Sequence, residues 1–160
     1  DSSMESSGTA PLIRHQLDIK GPNFEDVIAF CCSEDVQLVV VGPEQMLSEG
    51  IVDALKANDI PVFGPSKAAA EIESSKAFAK AFMKRHNIPT AEYKAFCSKD
   101  IQEALGYVDS APFDVVVKAS GLAAGKGVVV PEDRAEAKEA VRNLLERGLL
   151  GEAGSEVVLE

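Results

Sequence analysis

The residues best placed to do chemistry lie in Val115-Val-Val-Lys-Ala-Ser-Gly-Leu-Ala-Ala-Gly-Lys-Gly-Val-Val-Val130. Three glycines (Gly121, Gly125, Gly127) and two lysines (Lys118, Lys126) are crowded into this stretch. Glycine lets a backbone approach a polyphosphate closely, and consecutive N–H groups in such a loop form an anion nest. The lysines add point charges that neutralise phosphate oxygens. The stretch is not a Walker A loop, which has four residues between its glycines and a Ser or Thr after its Lys. Here three residues separate Gly121 from Gly125, and Gly127 follows Lys126. A Walker loop also runs from a strand into a helix, whereas Val128-Val-Val130 continues as a strand. A glycine-rich hairpin tip folding over phosphates fits better, with a plain turn carrying surface lysines left open at this point. Lys118 ends an apolar strand, where an unpaired charge costs free energy. A phosphate would compensate it; the other reading is a side chain that snorkels out at the strand end.

The remaining reactive residue types form no constellation. His15 and His86 are the only histidines, with no Ser, Cys or carboxylate at triad spacing. Cys31, Cys32 and Cys97 are odd in number and lack metal-ligand spacing, so they read as reduced thiols and point to the cytosol. No catalytic residue and no metal ligand is singled out.

Apolar periodicity and punctuation indicate the elements that must position the loop. Asn23 is expected to cap a helix from Phe24 to Ser33, with Asp26 three residues on. Val36 to Val41 is a β-branched run ended by Gly42-Pro43, as a parallel strand buried on both faces requires. A helix from Leu47 to Ala57 and a strand from Ile60 to Phe63 complete a parallel βαβ unit. Ser66 to Glu73 reads as a short helix. Ser74 or Ser75 caps a longer one to about His86, with Phe78, Phe82 and Met83 on its apolar face, and Asn87-Ile-Pro89 ends it. Then follow a strand from Tyr93 to Cys97, a helix capped by Ser98 to Val108, a strand from Asp114 to Ala119 and the glycine loop. Val128 to Val130 is a strand, Pro131 opens a helix to Glu146, and Glu156 to Glu160 is a strand. The helix over 132–146 mixes Glu with Lys138 and Arg142 and reads as a solvated face. The grammar changes near Ser74, which divides the chain into residues 1–74 and 75–160.

The 160 residues are 46% hydrophobic and 26% charged, enough for a packed core. A formal charge of −10 argues against non-specific nucleic-acid binding. No apolar run approaches the roughly 20 residues needed to span a bilayer. Asp1 to Ala10 lacks the basic region of a signal peptide. The chain does not begin with Met and stops inside an apolar run, so both ends read as cuts in a longer protein.

Six segments in order resemble the glycinamide ribonucleotide synthetase (phosphoribosylamine–glycine ligase) family of ATP-grasp enzymes. They are Val39-Val-Val-Gly-Pro-Glu44, Gly50-Ile-Val-Asp53, Phe63-Gly-Pro-Ser66, Glu73-Ser-Ser-Lys-Ala-Phe-Ala-Lys80, Arg85-His-Asn-Ile-Pro-Thr-Ala91 and Lys118 to Val128. Gly8-Thr-Ala10 carries the same pattern towards the start. The resemblance implies an α/β chain: an incomplete N-terminal parallel-sheet domain (pre-ATP-grasp, Rossmann-like) without its first strand and glycine-rich turn, then the first part of an ATP-grasp domain. It implies joining of glycine to 5-phosphoribosylamine through a glycyl phosphate, with ATP and Mg²⁺, in purine synthesis. By position, Lys76 and Lys118 resemble the nucleotide-contacting lysines. Ser120, Gly121, Leu122, Ala123, Ala124, Gly125, Lys126 and Gly127 resemble the mobile phosphate loop. Glu160 resembles the start of the adenine-lining segment. Gly42, Pro43 and Glu44 fall where a strand end meets a crevice, which by resemblance faces phosphoribosylamine.

The sequence departs from the family at two places. Gln45-Met-Leu47 replaces the usual Ala-Pro-Leu, and Ser120 stands where many bacterial members have Asp; animal members, often fused to two later enzymes of the pathway, are closer. The family's Glu and Asn that hold magnesium lie outside these residues, so the fragment alone is expected to be inactive. The alternatives are another ATP-grasp ligase or carboxylase, or a non-catalytic nucleotide-binding module.

Overall fold

In the computed structural model, the structure describes Leu17, Ile19 and residues 23–160; His15 and the Gly8-Thr-Ala10 pattern lie outside the described residues. Two hydrophobic clusters organise the chain, one under each of two sheets. The first runs through α1 (Glu25–Ser33), β1 (Val39–Val40), α2 (Glu44–Glu49), α3 (Ile51–Ala57) and β2 (Val62–Phe63). Its two strands are parallel, with Val39 opposite Val62 and Val40 opposite Phe63, as the βαβ reading requires. Phe24, Val27, Cys31, Ile51, Val52, Leu55 and Ile60 fill this core.

Three local expectations are corrected here. Phe24, not Asn23, occupies the position before α1, in a left-handed conformation (φ 51°) without a side-chain cap. Its ring is buried at 2% exposure, and burial of that ring outweighs a hydrogen-bonded cap. The helix expected over Leu47 to Ala57 is two helices, because Gly50 adopts φ 101° and ends α2 before α3 begins. A left-handed residue cannot continue a right-handed helix, and glycine takes that conformation with little strain. The strands are also shorter than the apolar runs. Pro61 and Pro65 supply no N–H to the β1–β2 ladder, which closes with Val39 N donating to Pro61 O at 2.9 Å and Val41 N to Phe63 O at 3.2 Å.

Two helices lead from the first cluster to the second. α4 (Lys67–Ser74) is capped by the Ser66 hydroxyl, which accepts from Ala69 N. α5 (Lys76–Arg85) is capped by Ser75, which accepts from Phe78 N. α5 contains no fully buried residue, so Phe78, Phe82 and Met83 form a half-buried face rather than a core stripe.

The second sheet holds β3 (Lys94–Cys97), β4 (Val117–Ala119), β5 (Val128–Val129) and β6 (Glu156–Leu159), in the order β3-β6-β4-β5 with every pair antiparallel. α6 (Ile101–Ser110) and α7 (Arg134–Leu145) share a core with one face of this sheet through Phe96, Val117, Val157 and Leu159. A single 3₁₀ turn over Ser98–Asp100 precedes α6, so Ser98 lies inside that turn and does not cap the helix. α7 likewise starts at Arg134 rather than Pro131, because the Asp133 carboxylate accepts from Glu136 N at 2.8 Å and sets the first turn there. Among the described residues no helix is long and apolar enough to cross a membrane. The cysteines are free thiols, and burial, then the neighbouring Cys32, raise the Cys31 pKa.

Candidate functional site

Period-two alternation along β4 sends Val117 and Ala119 into the helix-backed core and Lys118 to the opposite face. On that face Lys118 pairs with Val158 of β6. One step beyond β6, Glu160 continues the ladder, exchanging backbone bonds with Val116 at 2.7 and 3.1 Å. Its carboxylate is met by two lysines: Lys118 donates to Oε1, and Lys80 of α5 forms an ion pair with Oε2. Burial pushes the Glu160 carboxyl up, but the hydrogen bonds from Lys118 and Lys80 outweigh it and hold its pKa below the ordinary value. Lys80 also donates to Thr90 Oγ1 at 2.8 Å and lies over the Tyr93 ring, 5.6 Å from its centroid. The strand-end charge of Lys118 is thus paired rather than snorkelled into water.

The glycine loop joins β4 to β5 as a hairpin, as its spacing predicts. Lys126 N donates to Ala123 O at 2.8 Å, and the two residues between them, Ala124 (φ 46°) and Gly125 (φ 78°), both have positive φ. That is the type I′ pattern suited to a two-residue hairpin turn. Gly121 and Gly127 are glycine for another reason, close approach. A Cβ on Gly121 would stand 2.6 Å from Ala153 Cα, and one on Gly127 would stand 2.8 Å from Ala123 Cβ. Among the described residues, the backbone N–H groups of Leu122, Ala123, Ala124 and Gly125 donate to no backbone or side-chain acceptor. Four consecutive free donors with exposed Lys126 beside them can accept a polyphosphate.

Ser120 behaves differently from its neighbours in the loop. It is the only buried polar residue among the described residues, at 4% exposure. Its hydroxyl accepts from Ala77 N at 3.1 Å and lies 3.3 Å from Ser75 Oγ, while its carbonyl accepts from Lys76 N at 2.8 Å. The first N–H groups of α5 are therefore already occupied, and Ser120 fastens that helix to the sheet. Lys76, on the first turn of α5, is half-buried, and among the described residues nothing pairs with its ammonium.

The crevice residues are divided. Gly42 and Pro43 are exposed, whereas Glu44 lines a cleft of about 590 Å³ with Gln45, Gly121, Leu122, Ala124 and Glu152. The βαβ unit and the glycine loop thus face one cavity. Lys80, Thr90, Tyr93 and Glu152 are the site residues that sequence reasoning did not assign. The one available signal was Lys76, Lys80 and Lys84, which recur at four-residue spacing along one stripe of α5. Among the described residues no group of three or more His, Cys, Asp or Glu side chains could hold a metal ion.

Comparison with known proteins adds the family. Residues 74–160 match the ATP-grasp (A) domain of phosphoribosylglycinamide synthetase, and residues 3–73 match its N domain. The chain is 45% identical over 157 residues to the phosphoribosylamine–glycine ligase of Yersinia pestis, covering 97% of this chain and 36% of that protein. It is 48% identical over 138 residues to a bifunctional purine biosynthetic protein of Schizosaccharomyces pombe, covering 86% of this chain and 17% of that protein. Among solved structures, the phosphoribosylamine–glycine ligase of Thermotoga maritima superposes with a TM-score of 0.57, with 25% identity over 88% of this chain and 41% of that one. A biotin carboxylase domain from Hydrogenobacter thermophilus superposes with a TM-score of 0.68 over 90% of this chain and 33% of that one, but at 19% identity it shows the fold alone. The chain spans about a third of the length of the single-function relatives it matches, for example 36% of the Yersinia ligase. With both of its portions matching successive domains of one enzyme, the chain belongs to the phosphoribosylglycinamide synthetase (phosphoribosylamine–glycine ligase) family.

Proposed function

We propose that the protein containing this chain is an ATP-dependent carbon–nitrogen ligase that joins glycine to 5-phosphoribosylamine, releasing ADP and phosphate, in the cytoplasm. The observation that carries the phosphate role is the hairpin of four free N–H groups, Leu122 to Gly125, on the strand that bears Lys118. The substrates come from the relatives in Yersinia pestis and Thermotoga maritima, both phosphoribosylamine–glycine ligases. In this reading residues 1–74 and 75–160 are successive domains. Lys118, Lys126 and the loop from Gly121 to Gly127 hold the polyphosphate, Lys76 approaches it from α5, and Glu160 begins the adenine wall. Glu44, in the shared cleft, faces the amine substrate, with Gly42 and Pro43 shaping the turn behind it.

The phosphoryl group passes to the glycine carboxylate, and the amine then displaces phosphate from the acyl carbon. Little covalent chemistry is asked of the protein in such a step; positioning and charge neutralisation do most of it. Bound Mg²⁺ would neutralise phosphate charge, but the residues described do not form a ligand set for it. The reading therefore rests on what the lysines and the loop do.

The test is ATP turnover by the full-length protein with glycine and phosphoribosylamine, for wild type and Lys118→Ala. Loss of one preorganised donor to developing phosphate charge lowers kcat by about 10²-fold or more, and that is the expected result. A glycine-dependent wild type with a silent Lys118→Ala would remove the lysine from the site. ADP release indifferent to glycine would overturn the substrate.

A further inference from the structure

Glu160 makes Lys80 and Lys118 unequal. Lys80 has a side-chain exposure of 12%, and its ammonium is directed at Glu160 Oε2, at Thr90 Oγ1 and over the Tyr93 ring. An ammonium has three donors, so these contacts leave Lys80 little capacity for a phosphate. Lys118, at 28% side-chain exposure, meets only Glu160 Oε1, and two of its donors remain free. The contacts form a chain from α5, through the carboxylate at the end of β6, to the lysine of β4.

Charge points the same way. Glu160 and Lys118 alone would form a neutral pair, with the carboxylate drawing the ammonium onto itself. A second lysine on the other oxygen shares that carboxylate and leaves the cluster with a net charge of +1. From this geometry we infer that Lys80 is a positioning residue for the phosphate site: it anchors Glu160, and through Glu160 it presents Lys118 to a nucleotide. The inference rests on the nucleotide reading above and adds to it a residue that does not itself touch phosphate.

Because Lys80 acts through Glu160, its effect must depend on Glu160. The readout is the Kd of the full-length protein for MgATP by titration calorimetry, with thermal unfolding run alongside. Lys80→Met should weaken MgATP at least tenfold, and Lys80→Arg should recover affinity to within about threefold of wild type. In a Glu160→Gln background the same Lys80→Met change should weaken binding less than threefold. A direct phosphate ligand would lose the same factor in both backgrounds. A merely structural lysine would lower the unfolding temperature in both without this dependence. Either outcome, or a Lys80→Met protein that binds MgATP like wild type, overturns the positioning role and leaves the nucleotide reading standing. Failure of the wild type to bind MgATP would instead overturn the nucleotide reading, and the role of Lys80 with it.

Discussion

Glu160 shows how one side chain ties chemistry to stability. Burial raises its pKa from the ordinary 4.5, and the hydrogen bonds from Lys118 and Lys80 more than reverse this. A carboxylate whose folded pKa is depressed stabilises the fold above the unfolded pKa, and that contribution is lost as pH falls through the folded value. The stability gap between wild type and Glu160→Gln should therefore be widest near neutral pH and close as pH drops below about 4.5. A gap unchanged between neutral and acid denaturation curves would mean that the ion pairs contribute nothing to folding. Gly121 makes a second prediction at this scale. A methyl group there meets the backbone of Ala153 at 2.6 Å rather than the tip of a flexible side chain. Gly121→Ala should lower stability in urea by about 1–3 kcal/mol, the usual range for overpacking. A loss under about 0.5 kcal/mol would show that the turn over 151–154 moves aside easily.

At the scale of elements, helix ends decide where the chain turns. Ser66, Ser75 and Asp133 each accept a backbone N–H at the start of α4, α5 and α7. α7 supplies Ala137, Ala140, Val141, Leu144 and Leu145 to the core beneath the sheet, so its start bears on the whole second cluster. Asp133→Ala should destabilise by about 1 kcal/mol, as loss of an N-cap typically does, and Asp133→Asn should restore most of it. Equal losses for Ala and Asn would assign the effect to charge at the helix N-terminus rather than to the cap. The hairpin between β4 and β5 depends on a different device, consecutive residues of positive φ at Ala124 and Gly125. At this turn the N–H groups of Leu122 to Gly125 meet no protein acceptor among the described residues.

At the scale of the molecule, the two hydrophobic clusters share no residue, and the Ser120 contacts with the start of α5 lie beside the sheet of the second. Leu55 is fully buried in the first cluster. Leu55→Ala should cost about 2–5 kcal/mol there, as truncations of buried leucine do. Amide exchange should accelerate through α1 to α3 while β3 to β6, α6 and α7 keep their protection. Uniform acceleration along the chain would show instead that both clusters unfold as one cooperative unit.

The sequence by itself determined the local features. The Val-rich runs, the Gly-Pro stops, the serine cap of α5 and the glycine hairpin were legible because propensity, turn chemistry and side-chain period act over a few residues. The left-handed entry at Phe24 was not, since it sets a local cap against burial of the ring, and neither was the 3₁₀ turn before α6, where the Asp100 carboxylate accepts from Cys97 N at 3.3 Å. Sheet order lay furthest from view. Alternation along β4 shows that Lys118 faces away from Val117 and Ala119, but not which strand stands beside it. Only the insertion of β6 between β3 and β4 brings Glu160, 42 positions away, against Lys118. The packing of α5 on that face then adds Lys80. A charge carries no periodic mark of its partner, so the pairing at the centre of this site was decided by tertiary structure alone.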